Sequence, residues 1–441
     1  MNMIECQFNF HPVGQGLFYS GRIGDFRFVY DCGTASGKQH LDYAIASYDS
    51  YNDPLDLLVI SHFHNDHLNG ISQLLKKTGG AKEVVIPYLS PFERLMVAAE
   101  YAVNNELDVL NNEYLEFLKN PWAYLTERGC DHVTFLLPGE DVKDRPYRDE
   151  GSGNQERYWS GRPLPKEQFD ELEASPGNVH IREGSNNYRT DVWAFKFYCQ
   201  LGLGSREAIE NELREFVPAI DPDDIAGVLS DRLDDLKSVY FSIFGGSAGQ
   251  NSTSVMCCHG PITPGGRADG SLSWNKEARL ADPNYCGQEY MPGAIGRCFF
   301  RMYGYVFLEK AMPCGRCLLP ALQMLTGDVK ISLNEYQAHF RDELDLVGLF
   351  QLPHHGSNNC WHRRLPSVHP KCGLWVASFG LGNGYGHPSR RIVQDLAAAS
   401  RWMVLCNEVQ RAVVEAGIWR PKWCQTNCQS KQAQLCGLKH R

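Results

Sequence analysis

The chain has 441 residues, of which 43% are hydrophobic and 22% are charged, the proportions of a globular protein with a large core. It has no basic N-terminal stretch followed by an apolar run, and no apolar run long enough to cross a bilayer, so we expect a cytoplasmic protein outside the membrane. The net charge is −9, but residues 351–441 hold 12 Lys or Arg and only 3 Asp or Glu. Such a basic segment suits a polyanionic substrate and equally an ordinary solvated surface.

In chain order, the first 90 residues predict strands, a loop and a helix. Phe26–Tyr30 is a short apolar and aromatic run that ends at a turn, and Leu55–Ile60 is typical of a strand buried on both faces. The second run ends at His62–His67, and open α/β sheets place their ligand sites at such strand ends. A helix whose apolar face starts at Ile71 and a strand at Val84–Ile86 follow.

The next segment has a different character. Ser90–Glu93 is a capping box with proline at the first helical position, and it predicts helical structure to about residue 125. Residues 139–190 are rich in Gly, Pro and charged side chains and predict an irregular excursion, whereas Asp221–Asp224 begins another helix. We interpret residues 91–245 as an acidic insertion, helical and irregular, that offers a surface for a protein partner.

The strand pattern then resumes, so we predict one fold with halves at 1–90 and 246–420. Three apolar runs in the second half end in Asp or His beside Gly, at Asp328, at His354-His355 and at His387. The repeated layout indicates that several strand ends build one site. The predicted strands are Ser252–Cys257, Phe299–Leu308, Leu322–Leu325, Gly348–Leu352 and Leu374–Phe379.

The segment after the second strand has the residue types of a metal site. His62 and His64 alternate along extended backbone, so both side chains can point the same way. Asp66 and His67 lie one turn further on and can face a second ion. Imidazoles and carboxylates suit Zn²⁺ or Mn²⁺, and a carboxylate such as Asp328 can bridge two ions, which generate a hydroxide at neutral pH. Four ligand-type residues in six positions favour this interpretation over a turn held by surface hydrogen bonds.

The spacing His-x-His-x-Asp-His resembles the signature of the metallo-β-lactamase superfamily. More narrowly, the chain resembles the nuclease domain of bacterial competence proteins of the ComEC type and its free-standing relatives. The resemblance covers about 1–90 and 246–400, and its five motifs occur in the family's order, which is more specific than any single motif. The motifs are Val13–Gly16 with Asp31–Gly33, His62–His67, Leu325–Asp328, Pro353–Ser357 and Asn383–Pro388.

This resemblance implies an α/β fold, a four-layer αβ/βα sandwich with the site on one edge. It also implies two divalent metal ions, Zn or Mn, and a nucleic acid or nucleotide substrate. The implied metal ligands are His62, His64, Asp66, His67 and Asp328, completed by one of His354 and His355.

Neighbouring residues on extended backbone point opposite ways, so only one of His354 and His355 should ligate, and the resemblance favours His355. The resemblance also places His387 near the leaving group or the substrate phosphate. The alternative for His387 is a helix N-terminal residue with no catalytic part. The catalytic candidates are Asp66, Asp328 and His387, and the residues expected around the ligands are Asp31, Asn251 and His354.

Two features depart from the family pattern. Many relatives supply a further histidine where this chain has Gln250–Ser254, so the first metal would lack an imidazole and be held more weakly, which favours Mn²⁺ as a candidate. The competence proteins are also membrane channels, and this chain has no transmembrane segment, so DNA import by this chain alone is excluded.

Three classes of function remain. The first is a phosphodiesterase or nuclease, and in this case we expect Arg390 and Arg391 to contact phosphates rather than to make surface ion pairs. The alternative is a small-molecule hydrolase that acts on a lactone, thioester, lactam or phosphoester, because a fold does not fix a substrate. A binding protein with a degenerate site is the third class, and the complete first motif argues against it.

The tail, residues 421–441, contains three cysteines and one histidine within 17 residues and is polar and basic, with too little apolar surface to fold by itself. A tetrahedral zinc ion would supply the missing stabilisation. The other interpretation is a set of free thiols. The candidate ligands of this structural zinc are Cys424, Cys428, Cys436 and His440.

Overall fold

The computed structural model describes residues 2–104, 106, 109–138, 158–190, 192–200, 206–216, 221, 224–244, 254–261, 271–274 and 322–420. Their strands are β1 (Asn2–Phe10), β2 (Phe18–Ile23), β3 (Phe26–Cys32), β4 (Leu57–Val59), β5 (Val84–Pro87), β6 (Val133–Leu137), β7 (Tyr158–Pro163), β8 (Val179–Arg189), β9 (Trp193–Cys199), β10 (Val255–Pro261), β11 (Ser271–Trp274), β12 (Leu322–Leu325), β13 (Val347–Gln351), β14 (Leu374–Ser378), β15 (Trp402–Cys406) and β16 (Ala412–Arg420). Their helices are α1 (Lys38–Ala46), α2 (Asn65–Leu68), α3 (Ile71–Thr78), α4 (Pro91–Val103), α5 (Asn112–Lys119), α6 (Pro121–Thr126), α7 (Asp170–Glu173), α8 (Arg206–Phe216), α9 (Ile225–Asp231), α10 (Leu233–Phe244), α11 (Leu333–His339), α12 (Leu365–Val368) and α13 (Arg390–Ala398). No helix in these ranges is long and apolar enough to cross a membrane.

The strands form one hydrogen-bonded ribbon in the order β11-β16-β1-β2-β3-β4-β5-β6-β8-β9-β10-β12-β13-β14-β15, with β7 beside β8. Strands β3, β4, β5, β6 and β8 run parallel to one another. Strands β12, β13, β14 and β15 form a second parallel set. Antiparallel strands connect the two sets through β9 and β10.

Three apolar clusters divide this ribbon into layers. The central cluster joins the inner faces of its two halves: the ring of Phe8 lies 5.4 Å from that of Trp193, and the ring of Phe28 lies 4.9 Å from that of Phe195. A second cluster packs α1, α3, α4 and α5 on the outer face of the first half. A third packs α11 and α13 on the outer face of the second half. The predicted four-layer αβ/βα sandwich is therefore confirmed.

The short central strands are apolar throughout because both of their faces are covered. In β4, Leu57 and Val59 belong to the central cluster, whereas Leu58 between them packs against the outer helices. The predicted helix after His67 is confirmed as α3, which buries the apolar face that starts at Ile71. The strands predicted at 322–325, 348–352 and 374–379 are confirmed as β12, β13 and β14, and the predicted strand at 299–308 lies outside the described residues.

Residues 91–245 combine predicted and unpredicted structure. The capping box exists at the start of α4, where the Glu93 carboxylate accepts the Ser90 backbone N–H at 2.7 Å and the Ser90 hydroxyl accepts the Glu93 N–H at 3.3 Å. Asp224 caps α9 as expected, but the helix ends at Asp231 and α10 begins anew at Leu233. Strands β6, β8 and β9 were not predicted, and they continue the central sheet between β5 and β10. The segment thus contributes to the sheet itself, and its description as only helical and irregular is wrong.

A buried hydrogen-bond chain crosses the central layer at His259. The Trp193 indole N–H donates to His259 Nδ1 at 3.2 Å, so the neutral ring carries its proton on Nε2, 3.0 Å from the Tyr19 hydroxyl. Tyr19 in turn donates to the Gln323 side-chain oxygen at 2.9 Å. Protonation of Nδ1 would break the bond from Trp193, and burial lowers the pKa of His259 to about 3.

This arrangement predicts an acid-sensitive core. Between pH 6.5 and 3 the unfolded chain binds a proton at His259 and the folded chain does not, so stability falls as the pH falls through this window. At pH 5 the loss from this one group amounts to about 2 kcal/mol, at about 1.4 kcal/mol per pH unit. The free energy of unfolding in urea, measured at pH 7.5 and pH 5, gives this loss. In His259→Gln the difference between the two pH values should be smaller by about 2 kcal/mol. An unchanged difference between the two pH values in His259→Gln would contradict the prediction.

Candidate metal centre

The predicted ligands meet at the carboxyl ends of the parallel strands, where open α/β sheets place ligands. His62 and His64 follow β4. Helix α2 carries Asp66 and His67, and Asp328 follows β12. The loops after β13 and β14 complete this edge of the sandwich.

Four of these side chains form one compact group. One ligand atom from each of Asp66, His67, Asp328 and His355 lies within 4.8 Å of the others. His67 Nε2 is 3.2 Å from Asp328 Oδ1, and His355 Nε2 is 3.3 Å from Asp66 Oδ2 and 3.7 Å from Asp328 Oδ2. His62 Nε2 approaches Asp328 Oδ2 from another side at 3.9 Å. Asp328 therefore lies between His62 and the compact group.

Three histidines are held by one ring nitrogen, which leaves the other directed at this centre. His67 Nδ1 donates to Asp31 Oδ2 at 2.7 Å, and His355 Nδ1 donates to the Ser378 carbonyl oxygen at 3.0 Å. His62 Nδ1 lies 2.9 Å from the Ser61 hydroxyl. Outward anchoring of this kind is usual for metal-binding histidines, because it fixes the tautomer and the ring orientation.

Asp31 is the hub of this anchoring. Besides His67, its carboxylate accepts the backbone N–H and the hydroxyl of Ser61, both at 2.6 Å. Its φ of 57° lies in the left-handed region, which these hydrogen bonds help a non-glycine residue to occupy. The structure thus places the Asp31 carboxylate against His67, one of the predicted ligands.

The atoms that face the centre fit divalent cations. His62 Nε2, His67 Nε2 and Asp328 Oδ1 are buried and form no hydrogen bond of good geometry, although the last two lie 3.2 Å apart. Buried polar atoms without a partner cost free energy, and a cation coordinated by imidazole nitrogens and carboxylate oxygens would satisfy them. This donor set suits Zn²⁺ or Mn²⁺.

The charges of the centre also suit cations. Burial alone would raise the pKa of Asp328, but the charges of His355, His354 and His67 hold it well below its usual range. Burial lowers the pKa of His62 well below its usual range, so its Nε2 lone pair is available as a ligand. Burial would also lower the pKa of His67, but the charges of Asp328, Asp31 and Asp66 raise it well above its usual range. Metal binding therefore has to displace a proton from His67.

His64 is anchored by a residue that the sequence interpretation missed. Its Nε2 lies 3.4 Å from the Glu100 carboxylate, which is buried on α4. If Nε2–H donates to Glu100, the atom left for a metal is Nδ1, unlike in the other three histidines. Glu100 belongs to the predicted insertion, and a single glutamate in a helix carries no motif, so no sequence signal pointed to it.

Removing this carboxylate should weaken the metal site. Glu100→Ala frees His64 to turn away, and loss of such an outer partner typically costs 10- to 100-fold in metal affinity. Calorimetric titration with Zn²⁺ and Mn²⁺ measures the effect. Glu116→Ala on the neighbouring helix α5, where the carboxylate pairs with Arg128 at 3.8 Å, is the matched control and should keep the wild-type affinity. Equal affinities in both variants would contradict the assigned role of Glu100.

The pair His354-His355 departs from the expected backbone. Both residues have left-handed backbone, with φ values of 47° and 56°, so the premise of an extended pair with opposed side chains is wrong. Both rings face Asp328, with His354 Nε2 at 3.6 Å and His355 Nε2 at 3.7 Å from Oδ2. His355 is buried and anchored inside the compact group, whereas His354 lines the adjoining cleft.

His387 stands across the cleft, held by its own network. The Asn383 side chain accepts the His387 backbone N–H at 2.9 Å and donates to its carbonyl oxygen at 3.0 Å. The Gln15 side-chain oxygen accepts the Gly380 N–H at 3.1 Å, so the Gln15 amide nitrogen is the atom 3.4 Å from His387 Nδ1. Burial and the charges of His355 and His354 lower the pKa of His387 to about 4. The neutral ring therefore carries its proton on Nε2.

The cleft in front of the centre has a volume of about 1160 Å³. Among the described residues its walls contain no Lys or Arg. Arg390 and Arg391 lie exposed in the first turn of α13 and do not line it. The predicted residues Asn251, Cys424, Cys428, Cys436 and His440 lie outside the described residues. The polar and charged residues of the walls include Glu100, Glu106, Glu408, Asn104, Asn358, Asn359 and Asn383 beside Asp66 and Asp328.

Comparison with known proteins gives matches to solved structures alone. No protein-family model matches the sequence, and no curated protein matches it. One similar structure is the metallo-β-lactamase fold protein YhfI from Bacillus subtilis, with 12% identity over 42% of this chain and 58% of that chain and a TM-score of 0.19. Another is human tRNase Z, short form, with 12% identity over 41% of this chain and 65% of that chain and a TM-score of 0.21. The chain thus spans less than two thirds of either protein.

Proposed function

We propose that this chain is a metal-dependent hydrolase with two adjacent divalent cations that share Asp328. The proposal rests on one observation: His62, His67 and His355 are each anchored through Nδ1, and their Nε2 atoms lie within 4 Å of Asp328. Anchoring at Nδ1 in His62, His67 and His355 supports ligation through Nε2. The contact with Glu100 supports ligation through Nδ1 in His64.

The two sites divide the ligands between them. His62 and His64 would hold the first ion, and Asp66, His67 and His355 the second, with Asp328 common to both. When bound, two such ions lower the pKa of water and neutralise charge on the reacting group. Asp31 and Glu100 orient the ligands. His354 and His387 face the cleft and remain available to the substrate.

We further propose a phosphodiester of a nucleotide or nucleic acid as the substrate. His387 presents an Nε2–H donor opposite the metal ligands, which suits a phosphate oxygen or a leaving alkoxide. Ser357 and the neighbouring amide of Asn358 add neutral donors to the cleft wall. The cleft is also open and large enough for a polymer segment.

A small-molecule hydrolase is the second candidate. The observation that favours it is the absence of Lys and Arg from the described part of the cleft wall, since polyanion binders neutralise phosphates with such side chains. A lactone, thioester or lactam needs no such charges.

A panel of substrates separates the two candidates. The protein, loaded with Mn²⁺ or Zn²⁺, is offered single-stranded DNA, double-stranded DNA, RNA and cyclic nucleotides at 50 and 200 mM salt. The proposal expects cleavage of at least one phosphodiester with either metal and none in chelator. Arg390→Ala/Arg391→Ala tests whether these arginines bind phosphates, and if they do, the salt dependence of binding should decrease. Hydrolysis of lactones or thioesters without cleavage of any phosphodiester would favour the second candidate.

A further inference from the structure

Tyr385 is an exposed aromatic side chain on the rim of the cleft. Among the described residues, the exposed large hydrophobic side chains are Tyr43, Tyr51, Phe241 and Tyr385. Of these four, Tyr385 alone lines the cleft, and 70% of its surface is exposed. An exposed aromatic ring is ordinary on a protein surface, but a ring beside a catalytic centre has a specific use when the substrate contains flat rings.

The loop that carries Tyr385 is held in place at its ends. Asn383 clamps the backbone of His387 through both its N–H and its carbonyl oxygen, which closes the loop around Tyr385. Between these residues, Gly384 and Gly386 stand clear of the rest of the protein, since a Cβ at either position would meet no atom within 4 Å. The loop is therefore anchored at its base and projects Tyr385 into open space.

The ring has one covered side and one open side. It stacks on His387, with ring centroids 5.6 Å apart and an interplanar angle of 26°. His387 in turn lies 5.6 Å from His354 and 6.5 Å from His355. This row of rings leads from the proposed metal ligands to the rim, so a flat group stacked on Tyr385 would lie beyond His387 as seen from those ligands.

The polar side chains of the cleft wall determine which kind of flat group can bind beside Tyr385. The amides of Asn104, Asn358 and Asn359 line the same cleft and can both donate and accept hydrogen bonds, as the edges of nucleobases require. The described part of the cleft wall contains no Lys or Arg, so ion pairs between phosphates and cationic side chains of this wall cannot supply affinity for a nucleotide. Stacking on an aromatic ring supplies affinity for any base, because every base has a π-face.

We propose that Tyr385 is the stacking platform for a nucleobase adjacent to the scissile phosphate, which makes the substrate a nucleotide rather than a simple phosphodiester. This inference rests on the proposed phosphodiesterase function and adds a nucleobase to the proposed substrate. Tyr385 is a specificity-determining residue: it distinguishes a substrate with a base from the same backbone without one.

Two substrates test this assignment directly. A dinucleotide and its counterpart with an abasic sugar share the phosphodiester and differ only in the base. In the wild-type protein the base should lower KM, and Tyr385→Ala should reduce that advantage by between about 5- and about 150-fold, equivalent to about 1–3 kcal/mol. Tyr385→Phe and Tyr385→Trp keep a ring and should retain the advantage, whereas Tyr385→Leu should not. Tyr51→Ala removes another exposed tyrosine away from the cleft and should match the wild type.

A binding measurement separates failure of this inference from failure of the proposed function. Adenosine 5′-monophosphate and ribose 5-phosphate are titrated into the metal-loaded protein, with and without Tyr385→Ala. Tighter binding of the nucleotide that depends on Tyr385 supports the platform even if no phosphodiester is cleaved. If phosphodiesters are cleaved but KM for the dinucleotide and the abasic substrate changes equally in Tyr385→Ala, the platform is wrong and the hydrolase proposal stands. Equal binding of the two probes by the wild type would also overturn it.

Discussion

Replacing Asp328 with asparagine is expected to lower the hydrolytic rate by on the order of 10³-fold or more. Two adjacent cations supply several kcal/mol of stabilisation to the transition state, and about 1.4 kcal/mol corresponds to a tenfold change in rate. Asp328 lies within 4 Å of four histidine nitrogens, and no other carboxylate described here has this position. Without its charge, two cations would repel each other with nothing between them, so at least one should be lost.

Metal content and turnover together measure this effect. Elemental analysis of the dialysed variant should give fewer ions per chain than the wild type, and activity on the best substrate of the panel should fall in parallel. Circular dichroism should remain that of the wild type, since asparagine preserves the shape of the buried side chain. Glu343→Gln is the matched control, because its carboxylate forms an ion pair with Lys196 at 3.1 Å and does not line the cleft. A folded Asp328→Asn or Asp328→Ala variant with full activity would exclude the two-metal proposal.

The sequence was most informative where the chain repeats one layout. Apart from β8, the buried parallel strands contain short apolar runs, and their carboxyl ends lie at the edge where such sheets bind ligands. Asp328, His355 and His387 could therefore be assigned to one site although they lie up to 325 positions from His62 along the chain. The four layers were implied by the family resemblance alone.

The features that were missed depend on tertiary contacts. Strand β8 reads Val-His-Ile-Arg-Glu-Gly-Ser-Asn-Asn-Tyr-Arg, a polar sequence that becomes a strand because β6, β7 and β9 pair with it. Glu100 acquires its contact with His64 only when α4 packs across the site. The left-handed backbone at His354 and His355 follows from the tight turn after β13, whereas local sequence rules favour an extended pair. Tertiary packing, rather than local sequence, determines all three features.

The structure gives a physical explanation for two glycines of the first motif, Gly16 and Gly33. A Cβ at Gly33 would lie 2.6 Å from the backbone carbon and oxygen of Asp66 and 2.7 Å from the backbone carbon of His67. A Cβ at Gly16 would lie 2.7 Å from the same Asp66 oxygen. The two glycines thus form a seat for the backbone of α2, the helix that carries the proposed metal ligands Asp66 and His67. Only a residue without a side chain allows this approach.

Gly33→Ala is therefore expected to displace Asp66 and His67 and to lower activity by on the order of 10²-fold, the usual cost of misplacing catalytic groups by about 1 Å. The atoms that the new Cβ meets are backbone atoms, which cannot move aside as a flexible side chain can. Metal affinity, measured by titration of the chelator-treated protein, should fall together with activity.

Overpacking also destabilises a fold by about 1–3 kcal/mol, so a second variant is needed to separate misplacement from lost stability. Gly21→Ala is the matched control: its Cβ would meet the Phe28 ring at 2.0 Å, inside the central layer and outside the metal ligands. Both variants should have lower urea midpoints, but only Gly33→Ala should bind metal more weakly. If Gly33→Ala keeps the wild-type metal affinity while losing stability, the seat has no part in positioning the ligands. If Gly21→Ala loses metal affinity to the same extent, general destabilisation accounts for both, because the one shared property of the two sites is a tightly packed glycine.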